Sequence, residues 1–223
     1  MKANGSESIR GREFTSSGRS RRLIGKPGGS GDTHFLQLAV AGEAGLALLA
    51  VGLGRVVGIS PLTRLQPNLH SFGSGVLATL PLLFGLIWIL RQPGGSLRRL
   101  ADFVVDQLGP RLAACSVAQL AMLATVAGIG EELLFRGLIQ NALARLIPSP
   151  ASLLATSILF GLAHFVTSTY ALIAGLMGLY LGGLFLLQGS LVAPIVTHAV
   201  YDFFALLLVA RRYTIAQPPP SPN

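Results

Sequence analysis

The chain has 223 residues, 51% of them hydrophobic and only 12% charged, with a formal net charge of +8. A soluble domain carries about 25% charged residues, so this composition, with a mean hydropathy of +0.62, excludes an ordinary soluble domain. It describes an all-α polytopic membrane helix bundle, and the chain in order yields about six transmembrane helices.

The placement of the positive charge matters more than its size. Basic residues gather in the N-terminal tail, between Arg91 and Arg111, and at Arg211-Arg212. That bias fits a bacterial-type plasma-membrane protein with both termini cytoplasmic. No basic stripe is interleaved with aromatics, so no nucleic-acid partner is expected. The single cysteine, Cys115, cannot form an intrachain disulfide and reads as a small packing residue.

Residues 1–33 are rich in Ser, Gly and Arg and read as a disordered basic cytoplasmic tail. A first span is expected over 35–53, where Glu43 should face another helix. A polar loop with Arg55, Pro61, Arg64, Pro67 and a solvated His70 follows. The second span is expected over 75–90, stopping at Arg91, Pro93, Gly94 and Gly95. Over 97–108, apolar residues recur at helical steps beside Arg98, Arg99, Asp102 and Asp106, which marks an amphipathic helix lying in the interface. Residues 34–111 therefore form an N-terminal unit of two spans and an interfacial helix.

From 112 to 146 the chain is apolar for longer than a ~30 Å hydrocarbon core requires. Either that helix protrudes or it breaks near Gly128 and Gly130, before Pro148 and Pro150 end it. The fourth span, 152–165, carries His164. The fifth, 170–187, carries the close-packing pair Gly178 and Gly182. The sixth, 191–210, carries His198 and, one turn later, Asp202. Residues 112–212 are the membrane core, 213–223 form a Pro-rich disordered tail, and there is no internal repeat.

Into this apolar core Gly130-Glu131-Glu132-Leu133-Leu134-Phe135-Arg136-Gly137 drops three ionisable side chains. A charge at the bilayer centre costs roughly 2.5–3.5 kcal/mol on insertion scales. Glu132 and Arg136 are four apart with the acid first, the better order for pairing on one helix face. Glu131 points about 100° away and lacks that partner. With His164, His198 and Asp202 it makes a second polar constellation spread over three spans. Two chemistries are open to it. Glu131 can serve as general base on a water, with the histidines orienting it and stabilising an oxyanion. Alternatively, Glu131 and the two histidines can hold one divalent metal such as zinc with a position open for water. The HExxH spacing is absent, Arg136 already supplies positive charge, and the metal-free form is preferred, with no metal ligand assigned.

These motifs resemble those of the CAAX-processing and bacteriocin-processing intramembrane peptidases, the type II CAAX prenyl endopeptidase-like family. The family pattern E-E-x-x-x-R, F-x-x-x-H, H-x-x-x-N/D is met by Glu131-Glu132-x-x-x-Arg136, Phe160-x-x-x-His164 and His198-x-x-x-Asp202. The resemblance implies catalytic Glu131, His164, His198 and Asp202, with Glu132, Arg136 and Phe160 supporting the site. Asp202 stands where the prenyl-protein proteases carry Asn, and a carboxylate donates to an oxyanion only when protonated. Its other possible roles are to fix the tautomer of His198 or to join a metal shell. The function implied is an intramembrane endopeptidase, of glutamate or metallo type, acting on a membrane-associated or prenylated-like protein or peptide. A non-catalytic membrane binding or immunity protein and a proton-coupled transporter are the competing classes; the transporter lacks repeat symmetry.

Overall fold

The computed structural model describes residues 30–217, with the first four of these described as backbone only. Most of the expected N-terminal tail and the end of the Pro-rich tail lie outside the described residues. The described residues form seven helices and no strand. They are α1 (Ser30–Val56), a 3-10 turn (Pro61–Arg64), α2 (Leu69–Leu90), α3 (Gly95–Ala113), α4 (Val117–Glu132) with its extension, α5 (Ser149–Ala163), α6 (Ser168–Gln188) and α7 (Val192–Ala216). Five of these elements are long and apolar enough to cross a membrane. The fourth expected span is the exception, because α5 has only 15 residues.

Local chemistry sets the boundaries. Asn68 caps α2 by accepting from the Ser71 N–H at 2.7 Å, so α2 starts before residue 75, and His70 lies exposed in its first turn instead of in a loop. Ser116 and Gln119 form a reciprocal capping box at the start of α4. This cap divides the apolar run expected from residue 112: Leu112 and Ala113 close α3, and the third span begins at Val117. Thr167 caps α6, whose other end turns on Gly189 in the left-handed region at φ 64°. The α7 helix runs through Arg211-Arg212 to Ala216, past the point where the tail was expected to begin.

No break occurs at Gly128 or Gly130. Instead α4 continues into a π-helical stretch, Leu133–Gln140, and a last α-helical turn, Asn141–Leu143. The wide turns change the hydrogen-bond register without interrupting the element. Asn141 Nδ2 donates to the carbonyls of Arg136 at 3.2 Å and Gly137 at 2.9 Å. Backbone acceptors inside a bilayer need such partners, because lipid offers none. Single π-turns occur frequently at functional sites, and this one follows Glu131 and Glu132 directly.

Burial is inverted relative to a soluble protein. Leu38, Leu48, Leu77, Phe84 and Trp88 on α1 and α2 are exposed, whereas Glu131, Glu132, Arg136 and His198 are buried. The α4 element is the central span, with α1 and α7 packed along it, α2 and α3 against α7, and α5 against α6. The α1–α4 crossing is a backbone-to-backbone approach at Gly130, where an added Cβ would collide with the Glu43 carbonyl oxygen. Thr197 Oγ1 donates to the Gly75 carbonyl at 2.9 Å and ties α7 to α2.

Replacing Gly130 by Ala should therefore force α1 away from α4. Overpacking of this kind costs about 1–3 kcal/mol, and a lowered thermal midpoint of the detergent-solubilised protein is the expected reading.

Candidate active site

The site assembles from the end of α4, the first residue past α5, and the middle of α7. Glu132 and Arg136 form the buried pair that their spacing predicts, with Arg136 Nη1 donating to Glu132 Oε1 at 2.7 Å. Both side chains are almost completely buried, at 0% and 1% exposure. Breaking such a pair by removing one partner strands a charge. The guanidinium is also held from two other directions: Nη2 donates to the Gly178 carbonyl at 2.9 Å, and the group lies over the Phe160 ring, 4.6 Å from its centroid. One turn further, Gln140 Nε2 donates to the Gly182 carbonyl at 3.3 Å. The two glycines of α6 thus present backbone oxygens to the polar edge of α4, which requires the close approach that a side chain would block.

Each histidine has one ring nitrogen committed. His164 Nδ1 lies 2.9 Å from the Phe160 carbonyl, which can only accept, so Nδ1 carries the hydrogen. His198 Nδ1 lies 2.9 Å from Glu132 Oε1, already engaged with Arg136, and donates to it. Both Nε2 atoms then face Glu131 Oε2, at 3.6 Å from His164 and 4.0 Å from His198. Asp202 completes the cluster, with its Oδ2 3.5 Å from His198 Nε2. Glu132 holds the tautomer of His198 through Nδ1, and Asp202 faces the other nitrogen. Phe160 stacks on His164 with centroids 4.5 Å apart and meets Phe135 edge-on at 4.9 Å. The His164 ring, at the end of its helix, is thereby clamped between its own backbone and an aromatic face.

The cluster is closed on one side and open on the other. The side chains of Glu131 and His198 are 10% and 4% exposed, while those of His164 and Asp202 are 25% and 28% exposed. Asp202, Tyr170 and Tyr201 stand in the wall of a cavity of about 510 Å³ between α2, α3, α6 and α7. Its remaining lining is largely apolar, with Leu86 and Phe103 on one side and Arg111 and Gln107 belonging to α3.

Orienting a histidine through Nδ1 is also how proteins prepare a metal ligand. Nevertheless, among the described residues no three His, Cys, Asp or Glu side chains are placed to hold a metal ion.

Residues 113–204 match the family model described as type II CAAX prenyl endopeptidase Rce1-like. The match covers less than half of the chain and is a likeness of this segment to that family. It spans α4 to the middle of α7, and so contains every motif residue from Glu131 to Asp202. No curated protein and no solved structure matches the chain. Five long apolar helices and this likeness support an integral membrane protein. The α1 and α2 spans and most of α3 lie outside the match. Gln140, Tyr170 and Tyr201 were not singled out from the sequence. Gln140 had a signal, since it continues the four-residue stripe of Glu132 and Arg136; the tyrosines had none beyond their neighbours.

Glu132→Gln should leave Arg136 without its counter-charge and offer His198 a neutral amide oxygen in place of a carboxylate. Removing one partner of a buried pair costs about 3–5 kcal/mol. Lower accumulation in membranes and a lower thermal midpoint should follow, whereas Glu131→Gln should melt close to the parent.

Proposed function

We propose that this protein is an intramembrane endopeptidase in which Glu131 activates water against a peptide bond of a membrane-associated substrate. The observation that carries the reading is the convergence of two pinned imidazoles, each turning Nε2 toward Glu131, a buried carboxylate with no Arg ion pair. Glu131 Oε2 makes no hydrogen bond with the described residues, as suits a group reserved for a mobile reactant.

In the reaction the water's O–H bond breaks toward Glu131, and its oxygen bonds to the carbonyl carbon of the substrate. Protonated His198, facing the carboxyls of Glu131, Glu132 and Asp202, donates from Nε2 to the developing oxyanion. As the tetrahedral species collapses, the C–N bond breaks and the proton held by Glu131 passes to the leaving amine. His164 orients the water. Asp202, at the cavity rim, contacts the substrate or neutralises His198. Arg136 and Glu132 fix the frame and do not touch the reacting atoms. The apolar cavity beyond Asp202 takes the hydrophobic part of the substrate, whether apolar side chains or a prenyl-like group.

Glu131→Gln should abolish peptide release from a membrane-anchored reporter peptide while folded protein remains in the membrane. Strong chelators should leave the parent's activity intact. Loss of activity on chelation, with recovery on zinc and loss of bound metal in His198→Ala, would replace the water-only mechanism by a metallopeptidase.

Both termini are assigned to the cytoplasm, from the basic residues flanking the spans, which requires α5 to cross as a sixth span beside the five long helices. Reporter fusions after Gly95 and after Arg212 should both give a cytoplasmic signal. An exterior signal from either would reverse the orientation or change the number of crossings, with α5 the first element to reconsider.

A further inference from the structure

Two side chains beside the catalytic cluster have no part in the mechanism above. Tyr170 stands in the first turn of α6, its backbone N–H held by the Thr167 cap at 3.1 Å, and Tyr201 stands in the middle of α7. The Tyr170 ring meets the His164 imidazole edge-on, with centroids 6.2 Å apart and planes at 73°. Tyr201 follows His198 by three residues, so the two are neighbours on one helix surface. Each pinned histidine therefore has a tyrosine beside it. Both tyrosines share the wall of the cavity of about 510 Å³ with Asp202. Neither hydroxyl makes a hydrogen bond with the described residues, and both oxygens keep accessible surface. Tyr180, on the same helix as Tyr170, behaves differently: its hydroxyl is committed to the Ala78 carbonyl at 2.8 Å.

We propose that Tyr170 and Tyr201 are substrate-binding residues whose hydroxyls donate to backbone carbonyls of the peptide flanking the scissile bond. The inference rests on the peptidase reading and says how that site holds its substrate. A peptide strand brought to bilayer depth carries carbonyls that lipid cannot satisfy, and each costs free energy when left unpaired. An ionised Asp202 can only accept, and the Nε2 of His198 is aimed at the oxyanion that forms on one carbonyl. Farther along the cavity wall, on α3, the Arg111 guanidinium lies over the Phe35 ring, 5.3 Å from its centroid. The two phenols are thus uncharged donors placed next to the catalytic histidines. With Asp202 they make a set of two donors and one acceptor in an otherwise largely apolar wall. The alternating C=O and N–H groups of an extended strand match that set, whereas an acyl chain offers it nothing.

The test uses the full-length protein in liposomes and an apolar fluorescent peptide carried on an acyl chain. Tyr170→Phe and Tyr201→Phe delete only the hydroxyls. In the peptide-release assay each should raise KM by about three- to tenfold, the effect of one hydrogen bond to an uncharged group, with kcat changing little. Both should melt with the parent, because neither hydroxyl has a protein partner to lose. Binding is measured separately in the Glu131→Gln background, where each Phe variant should weaken peptide affinity by the same factor. Replacing one peptide amide at a time by a trans-alkene, which has no carbonyl, should weaken binding at two positions, and each loss should vanish in one of the two Phe variants. Unchanged KM and affinity in both variants, or alkene losses that persist undiminished in them, overturn the proposal. An effect in only one variant overturns the assignment of the other residue. If the peptide binds with this discrimination but the parent releases nothing, the peptidase reading fails and the tyrosine assignment stands. If release proceeds and the variants match the parent, the reverse holds. Absence of both binding and release overturns both.

Discussion

The buried pair of Glu132 and Arg136 is the constraint on which the remainder of the structure depends. Two opposite charges in an apolar bundle are tolerable only when each has its geometry saturated. Arg136 reaches Glu132, the Gly178 carbonyl and the Phe160 ring, and so ties α4 to α6 and α5 at once. Glu132 uses the same oxygen to anchor His198 on α7. Four helices are therefore referenced to one ion pair. The adjacent glutamates differ accordingly: Glu132 is paired with Arg136, and Glu131 Oε2 has no hydrogen-bond partner among the described residues.

That difference was legible in the sequence, because the four-residue spacing of Glu132 and Arg136 fixes a shared face and leaves Glu131 off it. The resemblance was legible for a different reason: the three short motifs carry fixed side-chain types at fixed spacings. The π stretch was not. Leu133–Gln140 has the same apolar composition in either register, and the wide turn depends on what Arg136 and Gln140 meet on α6. The start of α4 was open to reading, since Ser116 and Gln119 stand at the capping-box spacing, but the continuous hydropathy across residue 112 hid it. Similarly, α5 was merged into a full span because its flanking residues are apolar as well.

Glu43 illustrates a further limit. On the sequence it is one acid in an apolar run, with no neighbour at helical spacing to give it a role. Its place in the packing comes from the crossing of α1 over Gly130, a contact between residues 87 positions apart in the numbering of the chain. The small residue at Gly130 and the backbone of Glu43 are thus one feature of packing, divided between a span inside the matched segment and a span outside it.

The shortness of α5 has a consequence for the bilayer itself. At 15 residues the helix is about 22 Å long, less than the ~30 Å depth of hydrocarbon. Its C-terminal cap is His164, where the Phe160, Gly161 and Leu162 carbonyls already accept backbone N–H groups, so a helix of this length cannot reach both water boundaries. Lipids around a short apolar segment thin to meet it, at a modest free-energy cost per ångström. The mismatch draws the aqueous boundary inward toward His164 and Asp202, the two more exposed members of the cluster. A deficit of a few residues in one helix thereby shortens the path that water must travel to reach a buried carboxylate.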